Sequence, residues 1–400
     1  MRVLVADKFE ASGLAGLKKL GVDVDYQPDL KDASLTEAIT ASKAEVLVVR
    51  STKVTAEMVE APELSVIIRA GAGYNTIDVS AASDRGIQVT NCPGKNSQAV
   101  AELAFGLILA CDRRIPDNVQ QLREGKWNKK EFSKAKGLYG RTLGLVGMGK
   151  ISQEMIARAK AFGMNVFAYS RWMDPVAAAG LGITRAESLE DIARVSDVVS
   201  VHVSLTKETR DMLGASFFDA MKPGSIFVNT SRAEVVDQEA MLAAAESKGI
   251  RLGLDVFDGE PTGGEGDYDG PLKSSSAYCT HHVGASTDQA QEAVASEVVR
   301  IVREYLLTGK APNAVNIGHG EVATHLLVVR HVDKVGVLAA VLDVLKTEGV
   351  SVQEMENIVL GGAKAAIAQL SLDKGLSEAS IARVKENADV YDANQLAINR

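Results

Sequence analysis

Short β-branched runs alternate with stretches of helical period over residues 2–95. Val3–Ala6, Val46–Val49, Ser65–Ile68 and Ile87–Thr90 read as strands, and stretches near 9–20, 34–42, 55–60 and 78–84 read as helices. The apolar runs lack the alternation of a half-exposed strand, which predicts a parallel sheet with helices on both faces. A long helix is expected from Ser97 to about Gly125, apolar early and polar later. A second strand series follows at Arg141–Gly147, Asn165–Tyr169, Asp197–Val201, Ser225–Asn229 and Arg251–Leu254, and the helical period returns from Thr287 to Leu307.

Beyond Leu307 the pattern stops at Gly309–Gly320, a stretch bearing glycine, proline and asparagine that reads as a linker. The remainder has its own order. A strand at Ala323–Arg330 and a helix at Asp333–Glu348 precede a hairpin of 352–360 and 364–372 around Gly361-Gly362. A helix at Ser377–Glu386 and a strand at Val390–Ile398 complete it. This β-α-β-β-α-β order is ferredoxin-like.

Composition narrows the function classes. A chain of 400 residues is too long for one core. Its 46% hydrophobic and 24% charged residues are those of a globular protein. The net charge of −8 argues against nucleic acid as a partner. Cys92, Cys111 and Cys279 lie far apart, so neither a disulfide framework nor a metal cluster is expected, and a reducing cytoplasm fits. The chain starts directly on a strand, without the pattern of a signal peptide. The longest apolar stretch, Ala99–Cys111, contains Glu102 and is too short to span a bilayer, so no membrane partner is expected.

Gly147-Met-Gly149-Lys-Ile-Ser152 sits between an expected strand and helix, where two glycines allow a tight turn and close approach to a pyrophosphate. Ser152 takes the place of a third glycine. At the end of the next strand, where an acidic residue usually binds the ribose hydroxyls of NAD, stand Ser170 and Arg171. These suit a 2′-phosphate, so the residues leave NAD and NADP both open.

Three further segments carry an arginine, a glutamate and a histidine in order: Arg232 in Asn229–Asp237, Glu260 in Leu254–Pro261, and His282 in His281–Thr287. An arginine can clamp a carboxylate by two charge-assisted bonds, a histidine can move a hydroxyl proton, and a carboxylate can orient that histidine. Together with the glycine turn, these segments resemble the D-isomer-specific 2-hydroxyacid dehydrogenases.

The resemblance implies two parallel-sheet domains, Rossmann-like and flavodoxin-like. One is a substrate domain built from 1–96 and 285–316, the other a dinucleotide-binding domain at 97–284. It also implies that Lys150 and Ile151 contact the pyrophosphate, and that Val203 lines the adenosine cleft. Thr230 and Ser231 would flank the nicotinamide, Asp255 would bond its carboxamide, and Gly284 would lie beside the cofactor. Backbone N–H groups near Ala72 and Gly73, in the loop after Arg69, would receive the substrate carboxylate with Arg232. His281 stands where the family usually has proline; the Val-Gly-Ala-Ser run that follows sets the register on His282.

Arg50 and Arg69 resemble the phosphate-holding segments of the family's phosphoglycerate-oxidising branch, and Lys129 and Lys130 resemble residues that help from an adjoining subunit. The implied substrate is a phosphorylated 2-hydroxy acid. One alternative is an NADPH-dependent glyoxylate or hydroxypyruvate reductase, and another is a dinucleotide-sensing scaffold without catalysis. Residues 321–400 resemble an ACT regulatory domain. Its effector positions would be His331, Asp333 and Ser351, the last two replacing asparagines, so binding of L-serine is expected to be weak or absent. A homodimer or homotetramer is expected.

Overall fold

The computed structural model describes residues 1–261, 265–318 and 323–398. The end of the expected linker, His319 and Gly320, lies outside the described residues, as do Glu321, Val322, Asn399 and Arg400 of the C-terminal piece. The chain divides into two compact units, Met1–Asn316 and Ile317–Arg400.

The first unit opens with β1 (Arg2–Val5), α1 (Ala11–Lys19), β2 (Asp23–Tyr26), α2 (Asp32–Ser42), β3 (Val46–Val49), β4 (Val66–Arg69), α3 (Val79–Asp84) and β5 (Gln88–Asn91). The five strands are parallel in the order β2-β1-β3-β4-β5. Direction of progression reverses between β1 and β3, and the carboxyl ends of the strands at such a reversal leave a crevice for ligands. β2 carries no apolar run. As an edge strand paired only with β1, Asp23-Val-Asp-Tyr26 needs none, and its pattern does not announce it.

The helix expected over 97–125 is two helices, α4 (Ser97–Arg113) and α5 (Ile115–Arg123). Arg114 between them takes a left-handed backbone with φ +50°, and Pro116 has no N–H to continue the ladder. The short α6 (Lys129–Phe132) follows.

The second sheet is built from β6 (Thr142–Val146), α7 (Lys150–Ala161), β7 (Asn165–Tyr169), α8 (Pro175–Gly180), β8 (Thr184–Arg185), α9 (Leu189–Val195), β9 (Val198–Val201), α10 (Ala215–Ala220), β10 (Ile226–Asn229), α11 (Gln238–Lys248), β11 (Arg251–Leu254) and β12 (Tyr278–Cys279). Its strands are parallel in the order β12-β11-β10-β9-β6-β7-β8, reversing between β6 and β9. β8 and β12 are two-residue edge strands that periodicity could not reveal. α4 packs against this sheet through Ala104, Leu107, Ile108 and Cys111, beside Leu143, Leu145, Ile226 and Val228.

α12 (Asp288–Thr308) then returns to the first sheet. Val298, Ile301 and Val302 are fully buried among Val3, Val5, Val46 and Val66. The segment after it is stitched to β5, where Asn316 accepts from the Val89 N–H at 2.8 Å and donates to the Ile87 carbonyl at 2.8 Å.

The second unit contains β13 (His325–Val332), α13 (Val337–Thr347), β14 (Val352–Val359), β15 (Ala365–Leu372), α14 (Glu378–Lys385) and β16 (Val390–Ala397). Its antiparallel order β14-β15-β13-β16 is the ferredoxin-like arrangement, with Leu327, Val329, Val341, Leu345, Ala368 and Leu370 in the core.

Candidate active site

Both strand-order reversals carry the residues singled out from sequence. In the second sheet, Gly147 follows β6 with φ +98°, and an added Cβ would run into the backbone carbonyl of His202 at the end of β9. Only glycine fits there. Gly149 caps α7 and faces open space, leaving the first N–H groups of that helix accessible. Lys150 is exposed and Ile151 half-buried in the first turn. Ser152 is fully buried and donates its hydroxyl to the Gly147 carbonyl at 2.9 Å, so the serine in place of glycine braces the turn.

Val203 lies half-buried beneath Gly147. Its neighbour His202 escaped the reading of the sequence. Burial pushes the His202 imidazole down to about 3, so it is neutral, with Nε2 2.9 Å from the Ser200 hydroxyl. A single histidine at a strand end gives no signal that would single it out.

Ser170 follows β7 directly, its hydroxyl accepting from the Trp172 N–H at 3.4 Å. Arg171 is exposed, with its guanidinium 5.8 Å from the centroid of the Trp172 ring. Thr230 and Ser231 follow β10 and are buried. The Ser231 N–H and hydroxyl both donate to Asn229 Oδ1, at 3.0 and 2.8 Å, whereas the Thr230 hydroxyl has no partner among the described residues. That orphaned hydroxyl, the open face at Gly149 and the free α7 N-terminus fit a bound dinucleotide. Asp255 has a structural use as well: its carboxylate accepts from the Thr280 hydroxyl at 2.6 Å and from the Val283 and Gly284 N–H groups at 2.9 and 2.8 Å. It shapes the 280–284 loop, and Gly284 is required there because a Cβ would press on Asp255 Oδ2.

Three neighbouring strands deliver the other polar groups at their carboxyl ends: Arg232 after β10, Glu260 after β11 and His282 after β12. His282 Nδ1 lies 2.8 Å from Glu260 Oε2, and Glu260 Oε1 accepts the Phe257 N–H at 2.9 Å. His282 holds a left-handed backbone with φ +53°, uncommon for a residue bearing Cβ and maintained by the Asp255-bound loop. Burial pushes the Glu260 carboxyl up. Hydrogen bonds from His282 and the Phe257 N–H, with the charges of His282 and Arg232, outweigh it and hold the group below the usual carboxylate range.

Arg50 follows β3, Arg69 ends β4, and both line one cavity of about 910 Å³ with Arg232, Glu260, His281 and His282. None of the three arginines has a carboxylate within ion-pair distance among the described residues. Burial, then Arg232 and Arg50, pulls the Arg69 guanidinium down to about 10, and its Nε is buried with no partner among the described residues. Burial likewise lowers Arg232, whose Nη1 donates to the Ser231 carbonyl at 2.7 Å. Its guanidinium fills the space where a Cβ on Gly73 would stand, which brings Arg232 onto the Ala72–Gly73 loop. The Ala72 carbonyl is turned to Asn91, which donates at 2.5 Å. Lys129 and Lys130 are on α6 and do not line this cavity.

In the second unit His331 is buried, with Nδ1 2.7 Å from the Val332 carbonyl and Nε2 3.0 Å from the Asn357 side chain. Both ring nitrogens are thus engaged internally. Asp333 and Ser351 are exposed. Among the described residues no cluster of His, Cys, Asp or Glu could hold a metal ion, and no helix is long and apolar enough to cross a membrane.

Residues 105–284 match the model of the D-isomer specific 2-hydroxyacid dehydrogenase NAD binding domain. The chain is 38% identical over 387 residues to D-3-phosphoglycerate dehydrogenase of Mycobacterium tuberculosis, covering 95% of this chain and 70% of that protein. The chain belongs to the D-isomer-specific 2-hydroxyacid dehydrogenase family. It is also 44% identical over 260 residues to a hydroxypyruvate reductase of Thermotoga maritima, 64% of this chain and 83% of that one. Among solved structures it resembles the NADPH-dependent glyoxylate/hydroxypyruvate reductase of Sinorhizobium meliloti, crystallised with NADP and malonate. That match has 30% identity and a TM-score of 0.68, and covers 79% of this chain and 96% of that one. The chain spans 60–70% of the length of the phosphoglycerate dehydrogenases of Methanocaldococcus and Mycobacterium tuberculosis. The family is one of dehydrogenases of 2-hydroxy acids, and the matched segment is its NAD-binding domain.

Proposed function

We propose that this dehydrogenase oxidises D-3-phosphoglycerate to 3-phosphohydroxypyruvate, the entry reaction of L-serine synthesis. The observation that carries this reading is the set of three arginines, none with a carboxylate in ion-pair distance among the described residues, lining one cavity with the His282–Glu260 pair. An anion at each end of the substrate answers that arrangement. Arg232 clamps the carboxylate and polarises the C2 oxygen, assisted by main-chain N–H groups near Ala72 and Gly73. Arg50 and Arg69 receive the phosphate. His282 takes the C2 hydroxyl proton, and Glu260 orients the ring through their hydrogen bond. When bound, the nicotinamide supplies the hydride acceptor. The α7 N-terminus with Gly147, Gly149, Lys150 and Ile151 holds its pyrophosphate, and Thr230 and Ser231 flank the ring. The relatives named as phosphoglycerate dehydrogenases support the same substrate.

A second reading is an NADPH-dependent glyoxylate or hydroxypyruvate reductase, favoured by Ser170 and Arg171 where an acidic residue is usual. Turnover of phosphohydroxypyruvate against glyoxylate separates the two. We expect kcat/KM to favour the phosphorylated substrate, and a preference for glyoxylate would replace the first reading by the second. A non-catalytic scaffold has no use for the His282–Glu260 pair.

The assembly belongs to the same proposal. A homodimer or homotetramer in the cytoplasm fits a metabolic enzyme whose edge strand β14 is exposed along its length. With His331 engaged internally and Asp333 and Ser351 in place of asparagines, the second unit acts as an ACT-type module with weak or no response to L-serine.

A further inference from the structure

Arg50 is held from two sides at the point where the first sheet reverses its order. On the backbone side, Asp7 at the end of β1 accepts the N–H groups of Arg50, Ser51 and Thr52 at 2.6, 3.1 and 3.1 Å, and the Thr52 hydroxyl at 2.9 Å. Three converging N–H groups of this kind form an anion nest. Here Asp7 fills it, so an anionic substrate must be met by the Arg50 side chain instead. On the side-chain side, Arg50 Nη1 donates to Gln291 Oε1 at 2.7 Å. The remaining N–H groups of Arg50 have no partner among the described residues, and the residue lines the cavity together with Gln291 and His282.

Gln291 lies in the first turn of α12, which Thr287 caps five residues after His282. α12 is anchored to the first sheet by its buried valines and isoleucine. A neutral amide there immobilises one edge of the guanidinium and leaves its full charge for a ligand. A carboxylate would pair with Arg50 and cancel it. The neighbouring carboxylate on this helix, Glu292, is turned to Ser12 on α1, at 2.5 Å.

We propose that Gln291 is a positioning residue that sets substrate specificity, presenting the Arg50 guanidinium to the anionic group at the end of the substrate remote from the Arg232-bound carboxylate. This rests on the phosphorylated substrate proposed above. The test is steady-state kinetics of Gln291→Ala and Gln291→Glu with phosphohydroxypyruvate and with glyoxylate, at saturating cofactor. A hydrogen bond to a charged group is lost in the first variant, so KM for phosphohydroxypyruvate should rise about tenfold, and about a hundredfold in the second, where the charge is cancelled. The kinetics with glyoxylate should change less than about threefold, since that substrate has no second anion for Arg50 to meet. Equal losses on both substrates, or no change on either, overturn the inference and leave the substrate proposal standing. A parent enzyme that prefers glyoxylate overturns both. Gln291→Glu is isosteric and keeps the acceptor, so it decides the matter even if the alanine variant fails to fold.

Discussion

His282 and Glu260 meet at 2.8 Å although 22 residues separate them, because they leave the carboxyl ends of neighbouring strands β12 and β11. The adjacent His281 is exposed and lines the same cavity, but no side-chain hydrogen bond to it occurs among the described residues.

The two histidines should therefore separate cleanly in kinetics. His282→Ala should lower kcat by about 10²–10⁴-fold, the usual worth of general acid–base catalysis, with cofactor affinity retained. His281→Ala should cost far less. The reverse ranking would move the proton-transfer role to His281.

Arg232→Lys keeps the charge and loses the planar fork. We expect a severe loss of kcat/KM, at least about a hundredfold, because an ammonium cannot make two parallel bonds to a carboxylate. A near-normal KM for the hydroxy acid would show that Arg232 does not clamp it.

Ser170→Asp places a carboxylate at the end of β7, beside Arg171. Dissociation constants for NAD and NADP, measured by calorimetry on parent and variant, should shift toward NAD by about tenfold or more through repulsion of the 2′-phosphate. A parent that already fails to bind NADP would show that Arg171 has no phosphate to hold.

Glu297 gives a pH-dependent stability. It is buried on α12 between Arg300 at 2.6 Å, Asn313 at 2.8 Å and Lys95 at 3.1 Å. The Arg300 hydrogen bonds, joined by those of Asn313 and Lys95, outweigh burial and pull its carboxyl down to about 2 from 4.5. A depressed carboxyl stabilises the fold above its unfolded pKa, and that stability fades as pH falls from about 4.5 toward about 2. Glu297→Gln should cost roughly 1–3 kcal/mol in urea unfolding at pH 7, with the difference from the parent shrinking between pH 5 and 3. A pH-independent difference would mean that packing, not charge, is what the substitution removes.

Much of this architecture was legible because buried parallel strands are written as unbroken apolar runs; β3, β4, β6 and β9 needed no other signal. β2, β8 and β12 were not legible, being short edge strands whose pairing comes from their neighbours. The break at Arg114 was missed because apolar periodicity continues across it while the backbone turns left-handed. At the site, Gly147, Arg232, Glu260 and His282 stood out through the segments around them. The structural use of Asp255 did not, because a buried aspartate can serve a ligand or a loop with the same flanking sequence. Asp7 and Gln291 were invisible, since their meaning lies in partners 43–45 and 241 residues away.

Arg232, Glu260 and His282 issue from three side-by-side strands of one sheet, whereas Arg50 and Arg69 issue from the other. On the roles proposed above, proton transfer and recognition of the remote anion are therefore inherited through separate frameworks. Residues at the tips of β3 and β4 can drift, or be grafted from another enzyme, without disturbing the distance between histidine and glutamate. A lineage exploring new 2-hydroxy acids would accumulate its changes around residues 50–52 and 69, and keep Gly73 against Arg232 together with its 230s, 260s and 280s. An engineer wishing to retarget the catalyst has the same short list of positions to randomise.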